Sequence, residues 1–217
     1  MEAVIKVGGS LAKSLSLKKL CKVLERISKN HKYMIVPGGG EFADVVRDLD
    51  KRFHISATIS HKMAILAMDQ YGLFLSDLMN AFVTSKLREP RPFPKKPVIF
   101  LPSRHMFEKN PLPNSWDVTS DSIATYVACK LGVKKLILIK DVDGIYSFDP
   151  KKNSNAKLIK KISAKKLLVW NKKTCVDKFL PKILLKSKIR CYIVNGKCPE
   201  RVEEALEDRL SIGTIID

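Results

Sequence analysis

The sequence has no C-x-x-C pair, no histidine pair at metal-ligand spacing, and no apolar run near the roughly 20 residues that a membrane span needs. These absences argue against a zinc module and a membrane-spanning protein, and no metal-binding residue is expected. The five cysteines, Cys21, Cys129, Cys175, Cys191 and Cys198, are an odd set. In a chain of 217 residues this predicts reduced thiols and a cytoplasmic location. Met1-Glu2 leads straight into a β-rich run, so no signal peptide is expected. Two phosphate-loop patterns are also missing. Neither G-x-x-x-x-G-K-S/T nor G-x-G-x-x-G occurs, so neither common glycine-loop fingerprint applies. Internal repeats and low-complexity tracts are lacking too. Glutamate is absent from Lys130–Lys188, where 17 lysines accompany four aspartates.

What is present starts with positive charge. Lys and Arg number 40 against 22 Asp and Glu, for a formal charge of +18. Such an excess suits an anionic partner: a nucleotide, a nucleic acid or a membrane surface. A nucleic-acid-binding protein using the lysine-rich stretch is one reading. It leaves the glycine turns unexplained, and the stretch lacks interleaved aromatics and any recognition-module signature, so nucleic acid is not the expected partner. The hydrophobic content of 45% is enough for one sizeable core or two poorly separated lobes.

Along the chain, strands and helices alternate. Ala3–Val7 is a β-rich run ending at Gly8-Gly9, and Leu17, Leu20, Cys21, Leu24 and Ile27 mark a helix face with Ser16 as its cap. Tyr33–Val36 is the next strand, closed by Pro37-Gly38-Gly39-Gly40. A helix follows, with Phe42, Val45, Val46 and Leu49 as its apolar face. From Ser60 to about Phe82 the sequence is apolar almost all round, which predicts a helix buried in the core or at a subunit interface. Arg88–Pro97 reads as a proline-rich loop before the strand Val98–Leu101. Thr119, Ser120 and Asp121 are N-cap candidates for a helix that stops at Gly132, and strand Leu136–Ile139 comes next. Helix patterns at Ala164–Trp170 and Lys178–Lys188 lead to strand Cys191–Val194, helix Pro199–Arg209 and strand Gly213–Ile216. This alternation predicts a mostly parallel, covered sheet.

Two glycine turns at strand ends, with a helix N-terminus, can surround a polyphosphate with backbone N–H donors. Lys6 lies on the same side of its strand as Gly8. Phosphoryl transfer asks for this kind of alignment and positive charge, and little covalent chemistry. Each piece also has a plain structural explanation: tight turns, a capped helix, a solvated lysine.

Taken together and in order, the pieces resemble the amino acid kinase family from Lys6 to Ile215. The residues that carry the resemblance are Lys6-Val-Gly-Gly-Ser10, Pro37-Gly-Gly-Gly40, Thr119-Ser-Asp-Ser-Ile-Ala124, Lys140-Asp-Val-Asp-Gly-Ile-Tyr146 with Asp149-Pro150, Leu180-Pro-Lys182, and Gly213-Thr214. The resemblance implies a three-layer α/β/α sandwich with an open, mostly parallel sheet. It implies one kinase domain over residues 1–217, with an acceptor-binding half (1–115) and a nucleotide-binding half (116–217). ATP with Mg2+ would be the phosphoryl donor. Lys6 and Lys182 would flank the transferring group, and Asp121 would hold both. Gly8, Gly9, Gly39 and Gly40 would offer N–H groups to phosphates. Ser10, Lys140, Asp141, Asp143, Gly144, Tyr146 and Asp149 would contact the nucleotide.

The approach to Lys182, Val176-Asp-Lys-Phe-Leu-Pro181, departs from the glycine- and methionine-rich approach usual in the family. No regulatory domain is expected, which sets aspartokinase aside. Trp116-Asp-Val-Thr-Ser-Asp-Ser-Ile-Ala124, Glu41–Arg47 and His61–Met68 point to the subgroup of methanofuran biosynthesis, whose acceptor is already a phosphate monoester and whose product is a diphosphate. Gly38, Gly39, Gly40, Asp44, Arg47, His61 and Ser120 would hold that acceptor, with Lys62 and Asp117 as further candidates. Isopentenyl phosphate, a nucleoside monophosphate such as UMP or AMP, or a carboxylate remain alternative acceptors. A nucleotide sensor with a dead site is a further alternative, although Lys6, Asp121 and Lys182 are all in place. A homodimer is an open expectation.

Overall fold

The β-branched runs become one eight-stranded sheet in a computed structural model, in which every residue except Asn171 is described. The strands are β1 (Ala3–Val7), β2 (Tyr33–Pro37), β3 (Phe82–Thr84), β4 (Val98–Phe100), β5 (Lys135–Lys140), β6 (Lys161–Ile162), β7 (Arg190–Asn195) and β8 (Thr214–Ile216). Their order is β3-β4-β2-β1-β5-β7-β8-β6, and all neighbours run parallel except β7 and β8. The helices are α1 (Ser16–Ile27), α2 (Gly40–Phe53), α3 (Ala57–Leu78), α4 (Ser103–Lys109), α5 (Ser120–Leu131), α6 (Ala164–Val169), α7 (Leu180–Leu184) and α8 (Glu200–Leu206). Among the described residues, no helix is long and apolar enough to cross a membrane.

The central strands are buried on both faces, because a parallel sheet must be covered twice. Successive side chains point to opposite sides, so each strand feeds two cores. Val4, Met34, Leu136, Leu138 and Ile193 pack with Ile123 and Val127 of α5 and Leu180 and Leu184 of α7. Ile5, Ile35, Ile137, Ile139 and Val194 pack with Leu20 and Leu24 of α1, Tyr71 and Leu75 of α3, and Val202 of α8. The result is an α/β/α sandwich. Lys6, two positions after Val4, therefore lies on the α5 side of the sheet; so does Lys140, two positions after Leu138.

Several local expectations change. On α2 the buried residues are Ala43 and Val46, while Phe42 and Val45 are exposed, so the core-facing stripe is rotated from the expected one. Helix α3 is not buried all round within one chain: Ile59, Leu66, Leu73 and Phe74 reach solvent, which leaves the subunit-interface alternative as the expectation for that side. Helix α7 keeps only five residues of the expected Lys178–Lys188 pattern, and α8 ends at Leu206. Ser16 is the first residue of α1 rather than its cap, and its N–H is taken by the Ser14 hydroxyl at 3.2 Å. Strands β3 and β6 and helix α4 were not expected. They are two to seven residues long, too short to show a period.

Sequence order reverses around β1, which has β2 on one side and β5 on the other. A crevice opens outside the carboxyl ends of parallel strands at such a point. The first glycine turn, the second glycine turn and Lys140 all lie at those ends.

Candidate active site

Three charged side chains meet at this crevice. The Lys6 ammonium is 2.9 Å from Asp121 Oδ1, and the Lys140 ammonium donates to Asp121 Oδ2 at 2.5 Å. All three are buried, with 4%, 2% and 9% of Lys6, Asp121 and Lys140 exposed. The strand period brings the two lysines to one face, and the first turn of α5 supplies the carboxylate between them. Burial alone would raise the Asp121 carboxyl; Lys140 first, then Lys6, pull it down to about 2. Lys6 is moved the other way from most lysines in ion pairs. Desolvation outweighs Asp121, and Lys140 adds repulsion, so Lys6 falls to about 8.

The helix that carries Asp121 is fixed at its start. Thr119 is the N-cap, with Oγ1 accepting from the Asp121 N–H at 3.4 Å. Asp177 adds a stronger clamp. Its Oδ2 accepts from the Thr119 N–H and hydroxyl and from the Ser122 N–H; its Oδ1 accepts from the Ser122 hydroxyl and the N–H groups of Phe179 and Leu180. One carboxylate thus satisfies free donors at the starts of both α5 and α7.

The two glycine turns press against each other. A Cβ on Gly9 would overlap the backbone nitrogen of Gly40, and one on Gly38 would lie 2.6 Å from the Gly9 nitrogen. Gly40 has φ +56°, in the left-handed region that glycine favours. The N–H of Gly8 donates to the Ile139 carbonyl at 2.9 Å and that of Gly38 to the Val7 carbonyl at 2.8 Å, so both are spent extending the sheet. Gly9 and Gly40 open helical turns, and their N–H groups precede the first intrahelical bonds.

Beside the turns lies a small cleft open to solvent, whose walls include Gly39, Arg47, His61, Trp116 and Ser120 with apolar Ile65 and Met68. Arg47 stacks over the Trp116 ring at 5.1 Å and pairs with Asp44 at 2.8 Å. Trp116 donates to Asp50 at 2.6 Å. Burial holds His61 below the ordinary histidine value, so its ring is neutral at neutral pH.

The sequence profile of the amino acid kinase family matches residues 1–107 and 96–195. The chain belongs to the amino acid kinase family. It is 38% identical to the [5-(aminomethyl)furan-3-yl]methyl phosphate kinase of Methanocaldococcus jannaschii, over 98% of this chain and 96% of that one. It is 26% identical to the uridylate kinase of Pyrococcus abyssi, over 96% of each chain. The crystal structure of uridylate kinase from Archaeoglobus fulgidus superposes with a TM-score of 0.75 at 22% identity, covering all of both chains. An isopentenyl phosphate kinase substrate complex gives 0.64 at 22% identity, over 100% of this chain and 99% of that one. These two structures share the fold.

Within this kinase fold, the expected residues divide into groups. Lys6 and Asp121 meet; Lys182 does not join them. It is exposed on α7, with its ammonium 5.4 Å from the Phe179 ring centre, and both Asp121 oxygens are occupied by Lys6 and Lys140. The expected Lys6–Asp121–Lys182 arrangement is therefore corrected to Lys6–Asp121–Lys140. The reason is that Lys140 shares a sheet face with Lys6, whereas the short α7 turns Lys182 outward. Gly8 is corrected as a phosphate donor, since its N–H is already bonded.

Gly39, Arg47, His61 and Ser120 share the cleft. Asp44 pairs with Arg47 and, at 3.5 Å, with Lys13. Ser10 is exposed on the first glycine turn. Lys62 stacks on Phe107 at 5.8 Å, and Asp117 pairs with Lys178 at 3.3 Å.

The expected nucleotide residues after Lys140 hold one another. Asp143 accepts from Asn195 and Tyr146 at 3.0 Å each and pairs with Arg201. Asp141 pairs with Lys151 at 2.8 Å, and Asp149 accepts from the Lys151 N–H within its own turn. Gly144 packs so tightly on Thr214 that a Cβ there would overlap the Thr214 hydroxyl. Sequence reasoning missed Asp177 and Arg201. Asp177 had one signal, being an acid among 17 lysines; Arg201 had none.

Proposed function

We propose that this protein is an ATP-dependent kinase that transfers the γ-phosphoryl group to [5-(aminomethyl)furan-3-yl]methyl phosphate, giving the diphosphate in methanofuran biosynthesis. The observation that carries this reading is the buried Lys6–Asp121 pair at the strand ends, beside two glycine turns and a cleft lined by Arg47, His61, Trp116 and Ser120. Similarity to the Methanocaldococcus jannaschii enzyme over nearly the full length of both chains supports the choice of acceptor.

In this reading, an oxygen of the acceptor phosphate attacks the γ-phosphorus. A new P–O bond forms, the bond to the β–γ bridging oxygen breaks, and ADP leaves. Lys6 neutralises charge on the transferring group, and Asp121 keeps Lys6 aligned; fixed charge of this kind is the main catalytic device in phosphoryl transfer. Gly9, Gly39 and Gly40 place bare backbone against the phosphates. Arg47 and Ser120 hold the acceptor phosphate, and Trp116 with Ile65 and Met68 covers its ring. Residues 1–115 form most of the acceptor site, to which Trp116 and Ser120 are added from the other half, and 116–217 bind the nucleotide through the Asp141–Asp149 loop. Mg2+ accompanies ATP. A cytoplasmic location fits the five free cysteines, and a homodimer through α3 fits its exposed Ile59, Leu66, Leu73 and Phe74.

Isopentenyl phosphate is the second acceptor reading, favoured by the apolar Ala64, Ile65 and Met68 wall. The test is incubation with ATP-Mg2+ and the furan phosphate, isopentenyl phosphate, UMP and AMP in turn. ADP and a diphosphate product are expected with the furan phosphate. Turnover of UMP or isopentenyl phosphate alone would reassign the acceptor, and no turnover with any would sink the reading.

A further inference from the structure

The charges at the crevice do not balance among themselves. Lys6 and Lys140 bring two ammonium groups, and Asp121 brings one carboxylate. Burying an uncompensated cation is costly, so a buried excess of one positive charge is retained where an anion will use it. Asp177 lies close enough for its charge to act on Lys140. Its two oxygens, however, are filled by N–H and hydroxyl donors of Thr119, Ser122, Phe179 and Leu180, with no cation among them. Burial pushes the Lys140 ammonium down, yet Asp121, with smaller help from Cys175 and Asp177, holds it above the ordinary lysine value. Lys140 therefore stays charged where Lys6 sits closer to losing its proton.

Position matters as much as charge. Lys140 ends β5, next to β1, and the carboxylate oxygens of Asp121 space the two ammonium groups on either side of it. The Lys6 nitrogen lies 3.7 Å from where a Gly8 Cβ would be, which sets the cluster against the first glycine turn. Lys182 offers no equivalent. It is exposed on a five-residue helix and stacks on Phe179.

We propose that Lys140 is the second cation on the transferred γ-phosphoryl group, in the place that the family resemblance gives to Lys182. The proposal rests on the kinase reading, but its test does not need the acceptor. ATP and ADP binding are measured by titration calorimetry for the wild type, Lys140→Met, Lys140→Gln and Lys182→Ala. Lys140→Met leaves Lys6 and Asp121 as a balanced pair, so the fold is expected to persist, and Lys140→Gln repeats the test with a polar side chain. Both Lys140 variants should bind ATP about 10- to 100-fold more weakly, with ADP affinity within about threefold, the scale of one lost charge-assisted hydrogen bond. Lys182→Ala should keep the wild-type difference between ATP and ADP. Unchanged ATP binding by the folded Lys140 variants would overturn the proposal. So would equal loss of ATP and ADP, or loss of the ATP preference in Lys182→Ala alone. If wild type binds neither nucleotide, the kinase reading itself fails, and the two failures are thereby told apart.

Discussion

Asp177 Oδ1 accepts the hydroxyl of Ser122 at 2.6 Å, across 55 residues of sequence. The same carboxylate also takes N–H groups at the start of α7, so it ties the helix that carries Asp121 to the segment that carries Lys182. Removing it frees donors on both helices at once. Asp177→Ala should cost roughly 1.5–3 kcal/mol, the scale of hydrogen bonds to a charged group. It should also lower kcat, because Asp121 loses its anchored turn. Denaturant melts and steady-state kinetics check this; an unchanged midpoint would remove Asp177 from the account.

In the proposed mechanism Lys6 carries charge to the phosphoryl group, so Lys6→Ala should lower kcat by about 10²–10³-fold with the fold retained. Circular dichroism and initial rates decide it, and a near-wild-type kcat would exclude the role.

The depressed Lys6 value gives a pH signature. A lysine is charged below its pKa, so the active form is present below about 8 and is lost as pH rises through that value. The kcat/KM profile, which reports the free enzyme, should fall on the alkaline side. Lys6→Arg keeps its charge and should lack that limb. A wild-type profile flat to about pH 10, the ordinary lysine range, would contradict the assignment.

Asp121 gives the acid-side counterpart. Its folded value lies below the ordinary aspartate value of 3.8, at about 2. The stability it contributes is therefore complete above 3.8 and is lost as pH falls through about 2. Asp121→Asn leaves two buried ammonium groups without a counter-charge, which should cost roughly 3–5 kcal/mol. Urea midpoints at neutral and acid pH test both parts. A variant as stable as wild type at neutral pH would show that the buried charges do not depend on Asp121.

The contact between the glycine turns makes a steric prediction. Gly9→Ala places a methyl group against the Gly40 backbone, which cannot rotate away. It should separate the turns and abolish activity, whereas Gly132→Ala, with open space around it but φ +67°, should cost only stability. Activity retained in Gly9→Ala would mean that the turns need not touch.

The strand–glycine–helix order was legible in the sequence because periodicity and glycine turns act over a few neighbouring residues. Ala3–Val7 and Tyr33–Val36 are β-rich, Gly8-Gly9 and Gly38–Gly40 end them, and no other chain segment is needed to see it. Lys6 and Asp121 were legible through the family resemblance, since each alone also reads as a solvated strand lysine or a capped helix start. What tertiary structure alone decided was which lysine meets Asp121. That depends on β5 lying beside β1 with Lys6 opposite Leu138, which puts Lys140 on the α5 side of the sheet. Sheet adjacency and register are set by packing between segments far apart in the chain, as are the burial of Ala43 in place of Phe42 and the reach of Asp177 to Ser122. A side chain's partner across such distances leaves no local pattern, so the two lysines that meet Asp121 emerge only when the strands are laid side by side.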